Sequence, residues 1–421
     1  MSDVIQETID RLLEAVNALS EPGPGFTRPS YSPLESAAHA IVEREALALG
    51  LEVWRDAALN LFARLPGRDR HAVPVYIGSH LDTVAMGGAY DGTAGVAGAM
   101  ALVTAFVRNC ETPPVDLIVT VTRAEESVWF PVSYAGSRGA LGRLTSAEMH
   151  APRSDTGRSL ADHIRDEGGD PEKILAGSDL APANFIELHI EQGPVLFDAG
   201  EPFALVSGVR GGLRYRNATI KGVWAHSGAA PRASRSDAVF ALADLITAMD
   251  REWEAVLAAG HDLAVTFGRV DAATPEHAFA KVPGRVDFCV DLRSDDEAVL
   301  DRIDAFMAET IATIEAQRSV RFQMGTQSRS KPSALSQPLA DRIAEAAHEI
   351  GYRPRRMLSG GGHDAAAFAQ AGWSSTMVFL RNWNGSHNPD EAMDTKDLAA
   401  AVRAIHAAFA DRQALPGTQR T

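Results

Sequence analysis

The sequence has 421 residues, more than a single hydrophobic core usually serves, so at least two domains are expected. The 40 lysines and arginines stand against 55 aspartates and glutamates, and the net charge of −15 argues against a nucleic acid or an anionic membrane as the main partner. We therefore expect a small molecule as the ligand.

The N-terminal segment and the cysteines indicate the compartment. Residues 1–20 are typical of an amphipathic helix rather than a signal peptide, and no apolar run reaches membrane-spanning length. Only Cys110 and Cys289 are present, too few for a disulfide framework or a cysteine metal site. We expect a cytoplasmic protein without a membrane partner.

Buried-type strands alternate with helical stretches from about residue 75 to 210. Strands are predicted in "VPVYIGS", "VDLIVTVT" and "NFIELHI", and a helix is predicted over about 93–108. This alternation predicts an α/β catalytic domain with a mostly parallel sheet covered by helices. In such a sheet, function belongs at the carboxyl ends of the strands.

The pattern changes after the glycine-rich stretch "SGVRGGLRY". Four segments with alternating faces and two helices follow, which predicts a separate α+β unit with two helices on a four-stranded antiparallel sheet. The earlier alternation returns after the polar segment "TQSRSKPS". We therefore predict a domain at 212–329, inserted in a catalytic domain formed by residues 1–211 and 330–421.

Acidic and histidine side chains cluster where the predicted strands end. They are His80, Asp82, Asp91, Glu125, Glu126, His189 and His387. Taken singly, each histidine would more often be structural, the adjacent glutamates would form a solvated loop, and Asp91 would be a helix N-cap. Together they would bury several uncompensated charges at one edge of the sheet, which is costly unless cations are present. The set suits two divalent metal ions.

Eight motifs in chain order carry a family resemblance. They are "GSHLDTV", "DGTAGV", "EES", "IELHIEQGPVL", "AHSGAAP", "VPGRVDFCVDLRS", "SGGGHDA" and "SHNPDE". In this order they resemble the hydantoinase/carbamoylase branch of the di-zinc aminoacylase-type metallohydrolases. The resemblance runs from about residue 75 to 395. It implies that the inserted domain is a lid, and that homodimers form through the lids.

The resemblance also implies two metal-ligand sets. His80, Asp91 and His189 would hold one ion, while Asp91, Glu126 and His387 would hold the other, so that Asp91 bridges the two. Zinc is the expected metal, although manganese, cobalt and nickel can share such ligands.

Three further residues are predicted to support the reaction. Asp82 would orient the ring of His80, as outer carboxylates commonly do for metal-bound imidazoles. Glu125 would take a proton from the attacking water and pass it to the leaving nitrogen; the alternative is that it only balances metal charge. His226 matches the lid residue from which the family draws its oxyanion donor, whereas the sequence alone would favour a loop histidine.

The resemblance implies substrate contacts at Gln192, Arg293, Gly360 and Gly361, and Trp129 is a further predicted contact. Arg293 resembles the family arginine that holds the substrate carboxylate; the alternative is an ion pair with Asp291 or Asp287. Trp129 replaces a basic residue usual in relatives. It would contact an apolar substrate side chain, unless it belongs to the core.

Two further departures from the family pattern affect the substrate contacts and leave the metal ligands intact. Ala280 stands where relatives typically have asparagine, and Arg232 where methionine is common. We predict a metal-dependent amidohydrolase that cleaves the linear C–N bond of a small N-carbamoyl or N-acyl amino acid with a free carboxylate. The alternative enzyme is an allantoate or ureidoglycolate amidohydrolase. Outside enzymes, the alternative is a non-catalytic solute-binding homologue.

Overall fold

The structure, a computed structural model, describes residues 2–273 and 275–410. In chain order, its α-helices are α1 (Ser2–Asn17), α2 (Pro33–Ala48), α3 (Thr93–Arg108), α4 (Ala135–Ala140), α5 (Ser146–Met149), α6 (Leu160–Asp166), α7 (Pro171–Ala176), α8 (Val195–Ala199), α9 (Ala238–Ala258), α10 (Glu297–Arg318), α11 (Gln337–Glu349), α12 (Asp364–Gln370) and α13 (Thr395–Ala410). Its strands are β1 (Glu52–Arg55), β2 (Leu61–Leu65), β3 (Val75–His80), β4 (Leu117–Thr122), β5 (Asn184–Ile190), β6 (Phe203–Val209), β7 (Gly211–Lys221), β8 (Ala225–His226), β9 (Ala264–Asp271), β10 (Lys281–Val282), β11 (Arg285–Ser294), β12 (Arg321–Gln323), β13 (Gln327–Ser330), β14 (Ser333–Ala334), β15 (Arg356–Ser359) and β16 (Ser374–Leu380).

The described chain forms two compact units. The first contains the residues up to Ser207 and those from Ala334 onward, and the second contains Gly208–Ser333. The predicted insertion at 212–329 begins four residues later and ends four residues earlier than the second unit. Among the described residues, every helix is too short or too polar to cross a bilayer.

A nine-stranded sheet runs through the first unit in the order β1-β2-β4-β3-β5-β16-β6-β14, with β15 paired to β6. The neighbouring strands β4, β3, β5 and β16 are parallel, whereas β1 and β2 run antiparallel to their neighbours and β6 runs antiparallel to β16. The four parallel strands are buried almost throughout, as expected for strands covered on both faces. The predicted α/β class is confirmed.

Helix α3 packs closely on this sheet and begins beside the strand ends. Residues 93–106 are all buried. A Cβ at Gly95 would lie 2.0 Å from the carbonyl oxygen of Leu188 in β5, so only glycine allows this close approach. Gly92, with φ of 63°, takes the N-cap position of α3. Asp91 is therefore not the N-cap that the sequence offered as the alternative to a metal ligand.

The second unit contains the predicted two long helices, α9 and α10, and an antiparallel sheet in the order β12-β7-β11-β9 with β13 also paired to β7. Strands β8 and β10 form a separate pair. The prediction of four strands in the main sheet was wrong, because β13 lies in the segment interpreted as a polar linker. Its pairing, such as Gln327 opposite Tyr215, uses backbone hydrogen bonds and so requires no alternation of apolar side chains.

Candidate metal centre

The predicted ligands meet beyond the carboxyl ends of the four parallel strands. His80 ends β3, and His189 lies near the end of the neighbouring β5. Glu126 follows β4, Asp91 precedes α3, and His387 lies in the loop after β16. All but His387 are buried. The sheet order therefore brings together residues that are far apart in the sequence.

Asp91 lies at the centre of this group, because its two carboxylate oxygens face different histidines. Oδ1 is 3.3 Å from Nε2 of His80 and 3.1 Å from Nε2 of His189. Oδ2 is 3.4 Å from Nε2 of His387, and the same nitrogen is 3.2 Å from Oε1 of Glu126. The side chains form two groups of three, each with its ligand atoms within 4.8 Å of one another, and they share Asp91. These groups coincide with the two ligand sets that the resemblance implied.

The hydrogen bonds of two histidine rings test whether a cation fits between them. Nδ1 of His80 is 2.9 Å from the carbonyl oxygen of Asp82, and Nδ1 of His189 is 2.9 Å from that of Ile190. Because a carbonyl oxygen only accepts, we assign the proton of each neutral ring to Nδ1, which leaves a lone pair on Nε2. Both lone pairs face the carboxylate of Asp91, and the buried Nε2 of His80 has no hydrogen-bond partner among the described residues. With neutral rings, a positive charge between these acceptors is required, and a divalent metal ion fits the donor set.

The pKa values of this group shift in opposite directions. Burial raises the pKa of Glu125 and that of Glu126. Burial would also raise the pKa of Asp91, but the charge of His189 and hydrogen bonds with the histidines hold it well below its usual range. Hydrogen bonds to Asp91 and Glu126 raise the pKa of His387 to about 11. Without a metal ion, protonated histidines therefore supply the positive charge that the carboxylates require.

Asp82 is completely buried and contacts both His80 and the acidic loop after β4. Its Oδ1 is 3.4 Å from Nδ1 of His80 and accepts the N–H of Glu125 at 3.1 Å. Its Oδ2 accepts the N–H of Glu126 at 3.1 Å and the hydroxyl of Ser30 at 2.6 Å. Asp82 therefore has the predicted position beside the His80 ring, and it also fixes the backbone of both glutamates.

Glu125 lies beside the ligands without belonging to either group of three. Its Oε2 is 4.0 Å from Nε2 of His80, farther than any carboxylate–imidazole distance within the two groups. A general base must reach a water molecule held among the ligands without itself being a metal ligand, and the position of Glu125 allows this. The catalytic role of Glu125 stays a prediction.

Two of the predicted substrate-binding residues, Gln192 and Gly361, also lie at the centre. Nε2 of Gln192 is 3.4 Å from both Oδ2 of Asp91 and Nε2 of His387. A Cβ on Gly361 would lie 2.3 Å from Oε1 of Gln192, so the glycine loop with Gly360 packs directly against this amide. The structure thus places Gln192 beside the predicted metal ligands and Gly361 against its amide, while the contacts of Gln192, Gly360 and Gly361 with substrate stay predictions.

Trp129 has the core placement that the sequence offered as its alternative. The side chain is 8% exposed and lies in a hydrophobic cluster that also contains Tyr31 and Phe130. Its indole N–H donates to the carbonyl oxygen of Thr83 at 2.7 Å. The ring and its only polar hydrogen are thus already engaged, so the predicted contact with an apolar substrate side chain has no support from the geometry.

His226 and Arg293 lie in the second unit. His226 is exposed, and its Nδ1 accepts the N–H of Gly228 at 3.2 Å. Arg293 donates from Nε and Nη2 to Oδ2 of Asp291 at 3.0 and 2.7 Å, which is the ion pair given as its alternative. The other oxygen of Asp291 is 3.2 Å from Nε of Arg214. The proposed roles of His226 and Arg293 in binding the substrate stay predictions.

Two residues that support Asp91 were missed in the sequence. The hydroxyl of Ser386 donates to Oδ2 of Asp91 at 2.7 Å. Glu391 accepts the N–H of Tyr90 at 2.9 Å and that of Asp91 at 3.1 Å. Both residues lie in the motif "SHNPDE", in which only His387 was assigned a role. The signal was therefore present, although the spacing alone does not reveal which backbone groups a carboxylate will accept.

A third group that could hold a metal consists of Glu187, His189 and His363. Both oxygens of Glu187 already accept hydrogen bonds, from the hydroxyl of Ser79 at 3.3 Å and from the N–H of Ala365 at 2.7 Å. The carboxylate of Glu187 is therefore already occupied, whereas Nδ1 of the buried His363 has no hydrogen-bond partner among the described residues.

Comparisons with known proteins agree with this geometry. Residues 76–411 match the model of peptidase family M20/M25/M40. The chain is 30% identical over 403 residues to an N-carbamoyl-L-amino acid amidohydrolase of Geobacillus stearothermophilus, covering 94% of this chain and 95% of the relative. It is also 30% identical over 382 residues to an allantoate amidohydrolase of Bacillus subtilis, covering 90% and 91% respectively. A crystal structure of a hydantoinase/carbamoylase family amidase from Burkholderia multivorans superposes with a TM-score of 0.85 at 27% identity, covering 96% and 97% of the two chains.

Proposed function

The chain belongs to peptidase family M20/M25/M40, and we propose that it is a metal-dependent amidohydrolase that cleaves the linear C–N bond of a small N-carbamoyl or N-acyl amino acid. It is a hydrolase of linear amide bonds in non-peptide substrates, in agreement with the names of its relatives. The position of Asp91, with one oxygen facing each of two ligand groups, is the observation that carries the proposal.

The proposed centre holds two divalent ions. His80, Asp91 and His189 would bind one, and Asp91, Glu126 and His387 the other, with zinc expected and manganese, cobalt or nickel as alternatives. Ions bound there would lower the pKa of a water molecule and polarise the scissile carbonyl.

The remaining steps are assigned to side chains of the protein. Glu125 takes the proton from the attacking water and delivers it to the leaving nitrogen, so the C–N bond breaks with a neutral amine leaving. Asp82 holds the ring of His80 and the backbone of Glu125 in place. His226 donates to the oxyanion. The N–H of Gly228 occupies its Nδ1, and this leaves the proton of the neutral ring on Nε2, where it is free to donate.

A substrate panel tests the function and the role of Arg293 together. Metal-reconstituted protein should hydrolyse N-carbamoyl, N-formyl or N-acyl amino acids with a higher kcat/KM than allantoate or ureidoglycolate. Arg293→Lys should raise KM by roughly 10-fold or more, since a lysine cannot make both hydrogen bonds of an arginine fork to a carboxylate. Steady-state kinetics over the panel measures both effects.

Arg214→Lys is the matched control, because Arg214 pairs with the same Asp291. Equal effects of the two variants would mean that Arg293 serves only the ion pair. Highest activity on allantoate or ureidoglycolate would favour the alternative enzyme. Binding of panel compounds without any turnover would indicate a solute-binding homologue.

We also propose a homodimer formed through the second unit, with His226 of one subunit acting on the substrate bound by the other. Mixing inactive His226→Ala subunits with inactive Asp91→Ala subunits should then restore part of the activity, because a mixed dimer contains one complete set of residues. His261→Ala, which changes another exposed histidine of the second unit, should remain active by itself. No recovery after verified subunit exchange would rule out action across the dimer.

The proposed compartment is the cytoplasm. Cys110 and Cys289 are both free, which agrees with a reducing environment. Fractionation of cells that express the native protein tests this location, and recovery from an exported or membrane fraction would contradict it.

A further inference from the structure

The backbone after β4 donates four consecutive N–H groups to side chains. The N–H of Arg123 donates to Oδ1 of Asn60 at 2.9 Å, and the N–H of Ala124 donates to Oε1 of Glu35 at 3.0 Å. The next two N–H groups, those of the two glutamates of the metal centre, donate to the carboxylate of Asp82. Three side chains from separate parts of the sequence therefore hold one short stretch of backbone.

This stretch has no regular structure of its own. Residues 123–126 lie between β4 and α4 and belong to neither a helix nor a strand. Ala124 has φ of 49°, a left-handed conformation that residues with a Cβ seldom adopt. Such a conformation persists only where the surroundings impose it. The side-chain oxygens of Asn60, Glu35 and Asp82 hold this stretch in place by accepting its backbone N–H groups.

Glu35 and Asn60 are themselves held rigidly. Both are completely buried. Oε2 of Glu35 is 2.7 Å from Nε of Arg123 and accepts the N–H of Tyr31 at 2.6 Å. The amide of Asn60 donates to the carbonyl oxygen of Gly136 at 2.9 Å. Neither side chain can rotate away from the loop without breaking a second buried hydrogen bond.

We propose that Glu35 and Asn60 are positioning residues, which set the carboxylates of Glu125 and Glu126 at their distances from the histidines of the metal centre. This assignment rests on the proposed function and extends it to a part of the chain that precedes residue 76, where the match to the family model begins. A shift of the backbone at Ala124 would move both carboxylates together, because they belong to the two residues that follow it.

A merely structural role makes a different prediction. Two buried polar side chains that only stabilised the fold would, when replaced, lower the melting temperature and leave the properties of the folded protein unchanged. Positioning residues would change metal affinity and turnover in protein that is still folded. Measurements of metal affinity and turnover below the melting temperature therefore distinguish the two roles.

The test compares Glu35→Gln and Asn60→Ala with the control Asp116→Asn. Asp116 is also buried, accepts the N–H of Gly67 at 2.8 Å and pairs with Arg70 at 3.0 Å, but it precedes β4 at the end opposite Glu125. Melting temperature, Co²⁺ affinity of the metal-free protein, and kcat and KM of the reconstituted protein are measured for each. Asn60→Ala removes no charge, so it remains informative if Glu35→Gln leaves Arg123 uncompensated and fails to fold.

Glu35→Gln and Asn60→Ala should each lose about 10–100-fold in Co²⁺ affinity and in kcat, the usual effect of removing a group that orients a ligand, with KM changed less than about threefold. Asp116→Asn should lower the melting temperature and change neither quantity. Wild-type Co²⁺ affinity in both variants, or an equal loss in the control, overturns the assignment. Because Co²⁺ binding is measured without substrate, it decides the positioning role even if no compound of the panel is hydrolysed, a result that would count against the proposed function alone.

Discussion

Asp91→Ala should leave the purified protein with almost no divalent metal and with no detectable turnover. The reason is that Asp91 offers one oxygen to each ligand group, so its loss reduces both groups to two ligands at the same time. Elemental analysis of wild-type and variant protein, together with activity after reconstitution, measures both effects. Metal-free wild type prepared with a chelator should be equally inactive.

Asp397→Ala is the matched control for this experiment. Asp397, in α13, is as buried as Asp91, with 6% and 5% of the two residues exposed. Its carboxylate accepts a hydrogen bond from Nε of Arg381 at 2.7 Å. Its loss should reduce stability without lowering metal content. A full complement of metal in Asp91→Ala would show that Asp91 does not bridge, and undiminished turnover of the chelated wild type would refute the di-metal mechanism.

The meeting of the metal ligands was predictable because they follow strands that the sequence also predicts. His80 and His189 lie in buried apolar runs, and parallel strands bring their carboxyl ends to one edge of the sheet. Sequence separation is irrelevant once the strand order is set. The assignment of individual ligands to one ion or the other needed the family resemblance, since a strand pattern does not say which oxygen of Asp91 faces which histidine.

The supporting residues could not be predicted in the same way. Ser30 reaches Asp82 across 52 residues, and Glu35 reaches the N–H of Ala124 across 89 residues. Neither Ser30 nor Glu35 belongs to a periodic pattern of apolar residues or lies at the end of a predicted strand. No sequence pattern therefore identifies these side chains as supporting residues before the loops are placed. The two alternatives for Trp129 stayed open for a related reason, since a loop aromatic can face a ligand or the core. The core placement and the hydrogen bond to Thr83 are visible only in three dimensions.

The two interpretations of Arg293 rest on different evidence. Asp291 and Arg293 are two residues apart on β11 and therefore share a face of the sheet, which makes their ion pair a direct consequence of strand geometry. The carboxylate clamp was carried over from the family alone. The described contacts agree with the first and leave the second to the kinetic comparison with Arg214→Lys.

Glu125→Gln should lower kcat by roughly 10²–10⁴ while metal content and KM stay close to wild type. Glutamine keeps the shape of the side chain but cannot take up the proton of the attacking water, and Glu125 belongs to neither ligand group.

The adjacent Glu126→Gln is the matched control, because both glutamates are 7% exposed and both donate their N–H to Asp82. Glu126 is a predicted ligand, so its variant should lose metal affinity first and activity in consequence, with partial recovery at high metal concentration. Glu125→Gln should show no such recovery. If Glu125→Gln lost metal and regained its rate when metal was added, Glu125 would be a ligand, and the proton transfer would have to be assigned to another group.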